Sequence, residues 1–154
     1  MNIKILSLRK TSDATVGLLE QEYLKRFRKY ATVTLIDIKR SKMKGTSKRA
    51  VQDESKKISS HLSTEVYTVL LSEKGKTFTS GAFAQFIKSK IHSGTRTITF
   101  IIGGPTGVGE ELAQRADFKL SLSPMTFPHK LTRLLLIEAL YRSFDILNGG
   151  PYHK

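Results

Sequence analysis

Three segments of this chain carry residues suited to holding a small molecule: Leu71-Ser72-Glu73-Lys74-Gly75-Lys76, Gly103-Gly104-Pro105-Thr106-Gly107-Val108-Gly109, and Ser121-Leu122-Ser123-Pro124-Met125-Thr126-Phe127-Pro128-His129. Each follows a run that reads as a β-strand, and in open α/β sheets ligands bind beyond the carboxyl ends of the strands. The glycine segment is not a dinucleotide fingerprint, because Gly104, Gly107 and Gly109 fall in the inverse order and Pro105 stiffens the turn. No Gly-Lys-Ser/Thr follows it, so it is not a triphosphate loop. The four histidines, His61, His92, His129 and His153, make no helical pair and no H-E-x-x-H, which leaves no expected metal site. There is no G-x-S-x-G elbow for a serine hydrolase. The chain has no cysteine, which removes thiolate zinc sites, disulfides and a cysteine nucleophile together. Any chemistry is therefore expected to come from a bound cofactor rather than a protein nucleophile.

The elements that must position these segments alternate. Ile3, Ile5, Leu6 and Leu8 read as a first strand. Val16, Leu19, Tyr23, Phe27 and Tyr30 then recur at helical spacing behind a Thr11-Ser12-Asp13 start signal. The β-branched run from Thr32 to Ile38 predicts a second strand, and Val51, Ser55, Ile58 and Leu62 a second, more polar helix. A nearly all-apolar stretch from Val66 to Leu71 reads as a central parallel strand. Phe83, Phe86, Ile87 and Ile91 give a third helix, Thr97 to Ile102 a fourth strand, Glu110 to Gln114 a short helix, and Phe118, Leu120 and Leu122 a fifth strand. A helix from about Lys130 to Phe144 and an irregular tail close the chain. The pattern predicts one α/β domain over residues 1–154, with a five-stranded, mostly parallel sheet and helices on both faces.

The last helix is apolar around most of its circumference. Leu134, Ile137, Leu140, Tyr141 and Phe144 form one stripe, and Leu131, Leu135, Leu136 and Ala139 a second. Such a helix is covered on more than one side. A second copy of the chain, meeting Leu136 or Ala139, is the cover expected here, with the domain's own tail as the alternative.

Charge narrows the partner. Lys and Arg number 26 against 13 Asp and Glu, a formal net charge of +13 in 154 residues. A polyanion is the natural partner of such a surface, and nucleic acid is favoured because no basic amphipathic segment shows the apolar face of a membrane-lying helix. No apolar run reaches the ~20 residues of a membrane span, and the N-terminus lacks a signal peptide, so a cytoplasmic protein is expected. The segment from Lys39 to Arg49 has six basic residues and no acid, and reads as a basic loop for phosphate contact.

Ile102-Gly103-Gly104-Pro105, Ser121-Leu122-Ser123, Thr126, Pro128-His129, Leu131, Arg133, Glu138, Leu140-Tyr141-Arg142 and the ending Pro151-Tyr152-His153 together resemble the RlmH family of ribosomal RNA large-subunit methyltransferases, of the SPOUT class. The similarity spans essentially the whole chain. Ala139 departs from the pattern, since relatives usually place a polar residue there. The resemblance implies a five-stranded parallel sheet with a C-terminal trefoil knot, and an S-adenosylmethionine cofactor held by Leu71, Gly104, Ser123, Pro124, Met125, Thr126, Phe127 and Pro128. It also implies a homodimer without a separate RNA-binding domain. The activity it implies is methylation of N3 of a pseudouridine in large-subunit ribosomal RNA, with the assembled ribosome as the expected substrate. His129, Arg142, Tyr152 and His153 are the catalytic candidates. A noncatalytic RNA-binding ribosome assembly factor is the alternative; it accounts for the charge but leaves the 123–128 segment unexplained. A nicotinamide-dependent enzyme rests on the glycine segment alone.

Overall fold

The computed structural model describes residues 1–8, 14–41, 48–63 and 66–154. Thr11-Ser12-Asp13 and residues 42–47 of the basic segment lie outside these. Five strands, β1 (Asn2–Ser7), β2 (Thr32–Asp37), β3 (Tyr67–Lys76), β4 (Thr97–Ile102) and β5 (Phe118–Leu120), form one sheet in the order β2-β1-β4-β3-β5, all parallel. The position of each strand follows from its sequence. β4, the run Thr-Ile-Thr-Phe-Ile-Ile, is buried on both faces and sits in the centre. The threonine-rich β2 is exposed at every second position or so and forms an edge.

Among the described residues five helices flank the sheet: α1 (Ala14–Phe27), α2 (Lys48–Ser59), α3 (Ser80–His92) and α4 (Glu110–Arg115) join successive strands, and α5 (His129–Leu147) follows β5. Because side chains alternate along a strand, the sheet builds two cores. Ile3, Ile5, Val69, Ile98 and Phe100 face Phe27 of α1, Phe83 and Ile87 of α3, and Leu136, Leu140 and Phe144 of α5. Leu6, Leu70 and Ile101 face Ile58 of α2 and Leu112 of α4. Helices on both faces are thus a direct product of period-two burial in β1, β3 and β4. Local signals set the ends: the Thr79 hydroxyl accepts from the Ala82 amide at 3.2 Å to cap α3, and Glu110 and Glu111 begin α4, where the helix dipole favours acids. Among the described residues no helix is long and apolar enough to cross a membrane.

Three expectations need correction. The first ligand segment is not a free loop after Leu71, because β3 continues to Lys76 through an irregularity in which Leu120 pairs with both Leu71 and Lys76. Lys48 and Arg49 belong to the first turn of α2 rather than to a basic loop. Leu136 is fully buried in the chain's own core and Ala139 packs against the same core. Leu136 is therefore not available to a partner, while Ala139 is only partly covered. The wide apolar surface of α5 is used by α1, α3 and the sheet, and its exposed large residues are Leu131 and Leu135.

Candidate active site

Three stretches meet beyond the carboxyl ends of β3, β4 and β5. Leu71 pairs with Ile102 across β3 and β4 and with Leu120 across β3 and β5, which places it at the junction of all three. The continuation of β3 presses on β5 so closely that a Cβ at Gly75 would stand 2.5 Å from the Leu120 carbonyl carbon and 2.7 Å from that of Lys119. Only glycine allows that approach. The Ser121 amide then donates to the Lys76 carbonyl at 2.9 Å and ties the two strand ends together.

After β4 the chain makes a two-residue reversal. The Gly104 amide donates to the Gly107 carbonyl at 3.2 Å and the Gly107 amide to the Gly104 carbonyl at 2.9 Å, with Gly107 at φ 77°. α2 supports this turn from below. The Ser55 hydroxyl accepts from the Gly109 amide at 2.7 Å and donates to the Val51 carbonyl at 2.7 Å. A Cβ at Gly104 would meet Glu54 Oε2 at 3.1 Å and Leu8 Cδ1 at 3.6 Å. A side chain at 104 would thus press on α2, and the glycine leaves its backbone open to approach. Glu54 is buried, and its Oε1 accepts from Arg40 Nε and from the Ser41 amide, both at 3.1 Å. Arg40, at the start of the basic segment, is therefore engaged with the floor of the glycine turn.

The third stretch, 121–128, is held by its own serines. Ser121 Oγ donates to the Ser123 carbonyl at 2.8 Å, and Ser123 Oγ accepts from the Met125 amide at 3.0 Å. Thr126 Oγ1 donates to Glu73 Oε2 at 3.4 Å, joining this loop to the first stretch. Pro124, Met125 and Thr126 are exposed, Met125 by 71%. Leu71 and Phe127 are half-buried beside them. Apolar side chains next to turns rich in backbone amides and carbonyls suit a flat heteroaromatic ring with a polar edge. Among the described residues no group of acids and histidines could hold a metal.

α5 starts directly from this loop, with Leu131 and Thr132 amides donating to the Pro128 carbonyl. One turn in, Arg133 is buried and makes a bidentate pair with Glu20 of α1, Nε to Oε1 and Nη2 to Oε2, both 2.8 Å. Its Nη1 donates to Asp37 Oδ1 at the end of β2, 2.6 Å away. Burial opposes the charge of the guanidinium, but the hydrogen bonds and charges of Glu20 and Asp37 more than offset this, and its pKa lies above the ordinary value. Sequence patterning marked Arg133 only through resemblance; the acids that hold it come from distant elements.

Three of the four catalytic candidates gather at the far end of α5. Arg142 donates from Nε to Glu138 Oε1 at 3.0 Å, with Nη2 on the same oxygen, and its Nη1 lies 3.4 Å from His153 Nδ1. The Arg142 guanidinium sits 4.7 Å from the centre of the Tyr152 ring. The Tyr152 hydroxyl donates to Glu138 Oε1 at 3.0 Å and contacts the Tyr23 hydroxyl at 3.1 Å. Burial first, then these hydrogen bonds, raises the Tyr152 pKa well above that of an ordinary phenol. The tail reaches this position through Asp145, which is fully buried. Its carboxylate accepts from Tyr30 Oη at 2.9 Å and from the Tyr152 amide at 2.9 Å, and its carbonyl accepts from the Gly150 amide.

Arg142, Tyr152 and His153 are thus brought together, with Glu138 and Tyr23. His129 is not among them. It starts α5 beside the 121–128 loop, 13 residues before Arg142, which is about 20 Å of helix axis. Glu54 and Asp145 escaped the sequence reading, and Ser55 and Tyr23 entered it only as members of helical patterns. A buried carboxylate in an apolar helix was the available signal for Asp145.

A family model described as "Predicted SPOUT methyltransferase" matches residues 1–153. Proteins named ribosomal RNA large subunit methyltransferase H are similar along their full length. That of Flavobacterium johnsoniae is 40% identical over 99% of both chains, that of Carboxydothermus hydrogenoformans 37% over 100% of both, and that of Clostridium kluyveri 36% over 100% of both. With the family model matched over residues 1–153 and these relatives along nearly the whole chain, the chain belongs to the SPOUT methyltransferases.

Proposed function

We propose that this protein transfers a methyl group from S-adenosylmethionine to N3 of a pseudouridine in large-subunit ribosomal RNA, acting as a homodimer on the assembled ribosome. The observation that carries the cofactor reading is the junction at Leu71, Gly104 and residues 123–128, where exposed Met125 and half-buried Leu71 and Phe127 stand beside turn backbone at the carboxyl edge of the sheet. Leu71, Met125 and Phe127 line the adenine, and backbone around Gly104, Ser123, Pro124, Thr126 and Pro128 reads its polar edge. Bound S-adenosylmethionine supplies a methyl group on an electrophilic sulfonium. A trefoil knot formed by the C-terminal segment completes this cradle.

The protein's own task is alignment and removal of the imide proton. Tyr152, with its raised pKa, is a neutral phenol that donates to Glu138 and positions the base. Arg142 stays cationic, its pKa raised first by its hydrogen bond to Glu138, and stabilises the imide as charge develops. The imidazole of His153 is the group of this cluster that accepts the proton, and His129 orients substrate at the mouth of the cofactor loop. About 20 Å of α5 separates the two halves in one chain, so each active site joins one protomer's cofactor loops to its partner's tail. Leu131 and Leu135 on α5 and Leu18 and Leu19 on α1 are exposed apolar residues on two helices joined by the Arg133–Glu20 pair, and they supply the contact. The test is calorimetric titration with S-adenosylmethionine together with mass spectrometry of ribosomal RNA from cells with and without the gene. Cofactor binding and loss of one methylated pseudouridine are expected. A protein that binds RNA but no S-adenosylmethionine would instead be the noncatalytic assembly factor.

A further inference from the structure

The edge of the sheet opposite the cofactor loops carries a second cationic site. There the strands begin and the helices end. A cleft of about 580 Å³ opens between the start of β3, the turn from α3 to β4 and the start of β5, and Lys4 and Arg96 line it. Two further cations stand at its rim. Lys90 Nζ is 4.1 Å from the centre of the Tyr67 ring, itself part of the wall. Arg115 Nη2 donates to the Leu62 carbonyl at 3.4 Å, beside Ser63 of the wall. The one acid in the lining, Asp117, is already engaged, since its Oδ2 accepts from the buried Thr68 amide at 2.7 Å and so caps the start of β3.

Helix dipoles explain only part of this. Basic residues in last turns, such as Lys90 and Arg115, complement the carbonyl ends of α3 and α4. Lys4 and Arg96 do not belong to helices. Lys4 projects from β1, an inner strand, in register with Thr34 and Thr99, and is half-buried. Placing an ammonium there has a desolvation cost that an anion would offset. Among the described residues neither Lys4 nor Arg96 is in an ion pair. The backbone around them is fixed: Arg96 O accepts from the Asn2 amide at 2.9 Å, the Thr95 amide donates to Lys90 O at 3.0 Å, and Gly94 turns the chain at φ 78° with open space beside it. The cleft is therefore a preorganised, open site with an excess of positive charge.

We infer that the cleft of Lys4 and Arg96 binds phosphate groups of the RNA backbone, as a contact apart from this chain's own cofactor loops. The inference rests on the reading of large-subunit ribosomal RNA as substrate. β4 runs six residues from the cleft to the glycine turn, or about 20 Å, so a phosphate held here lies beyond the reach of this chain's own cofactor loops. It holds a separate point of the folded RNA backbone and fixes how the protein is presented to its target. A protein of net charge +13 that modifies one base within a large RNA assembly gains selectivity for that assembly by touching it on two sides.

Purified ribosomes and the full-length protein provide the test, with binding measured across a salt series and apart from methyl transfer. The double variant Lys4→Met/Arg96→Gln loses two contacts. Each contact contributes roughly 0.7 to 0.9 to the slope of log affinity against log salt, so the slope falls by about 1.4 to 1.8. At 0.1 M salt this corresponds to a loss of about 25- to 60-fold in affinity. S-adenosylmethionine affinity and melting temperature stay as in the wild type. Arg96→Gln alone, in an exposed turn, shows half the change in slope and guards against misfolding of the double variant. The control Arg26→Gln/Lys57→Gln removes the same charge from cations already paired with Glu22 and Asp53 and leaves the slope nearly unchanged. A slope unaffected in the cleft variant, an equal loss in the control, or a wild type without ribosome affinity overturns the inference. Calorimetric uptake of inorganic phosphate or adenosine monophosphate that disappears in the cleft variant, with ribosome binding intact, would reassign the cleft to a free phosphate ligand. Methyl transfer that fails while the slope still falls would remove the enzymatic reading and leave this one standing.

Discussion

Replacing Arg133 by Met tests the ion cluster that joins the root of α5 to α1 and β2. Met is close to isosteric with the aliphatic part of Arg, so little packing is lost, but Glu20 keeps its charge in a site where its side chain is only 5% exposed. Breaking a buried pair from one side costs about 3–5 kcal/mol. Asp37 is a third exposed, so water replaces its partner at little cost. For a chain of this length 1 kcal/mol shifts the melting temperature by roughly 2–4 °C, which gives a fall of about 6–20 °C. Adding Glu20→Leu removes the unpaired charge and restores most of the loss. Urea unfolding followed by circular dichroism at pH 7.5 measures both changes. A loss below about 1 kcal/mol for Arg133→Met, or a double variant no better than the single one, would refute the idea that this pair is buried and mutually dependent.

Deleting residues 151–154 leaves S-adenosylmethionine affinity intact and lowers single-turnover methyl transfer by about 10²-fold or more; equal rates would show the tail to be dispensable. Gly150→Ala acts the same way without deletion, because its Cβ would collide with the Asp145 carboxylate that anchors the tail; unchanged transfer would show that the tail is held by other contacts. Mixing the truncated protein with a Gly104→Val variant restores activity in hybrid dimers if the site is shared between protomers, and mixtures as inactive as their parents argue against sharing. Gly75→Ala brings a methyl group against the backbone of Lys119 and Leu120 and costs about 1–3 kcal/mol, read as a lower urea midpoint at unchanged slope. Tyr152 binds its proton more tightly folded than unfolded, so its contribution to stability is present below about pH 10 and is lost as pH rises above that. An ultraviolet titration of wild type minus Tyr152→Phe that shows phenolate already at pH 10 would contradict the buried hydrogen-bonded phenol.

The order of strands and helices is legible in the amino-acid sequence, because burial on two faces writes itself into β1, β3 and β4 as apolar runs and into α1, α3 and α5 as 3.6-residue spacing. The sequence also groups Leu71, Gly104 and Ser123 to Pro128 in three segments at or near strand ends, and the fold brings these to one edge of the sheet. Chain connectivity alone cannot show which elements share a covering surface. Leu136 read as an interface residue and is core, because α1 and α3 both reach α5, and their approach is decided by the order β2-β1-β4-β3-β5. The extension of β3 to Lys76 was illegible for a similar reason: Ser72 to Lys76 is polar and becomes strand only because β5 lies beside it at Gly75. Long-range polar pairing lies furthest from sequence. Arg133 finds Glu20 across 113 positions, and Tyr152 reaches Tyr23 across 129. No local periodicity encodes such distances; they arise when hydrophobic burial has fixed the helices and the remaining polar groups must each find a partner.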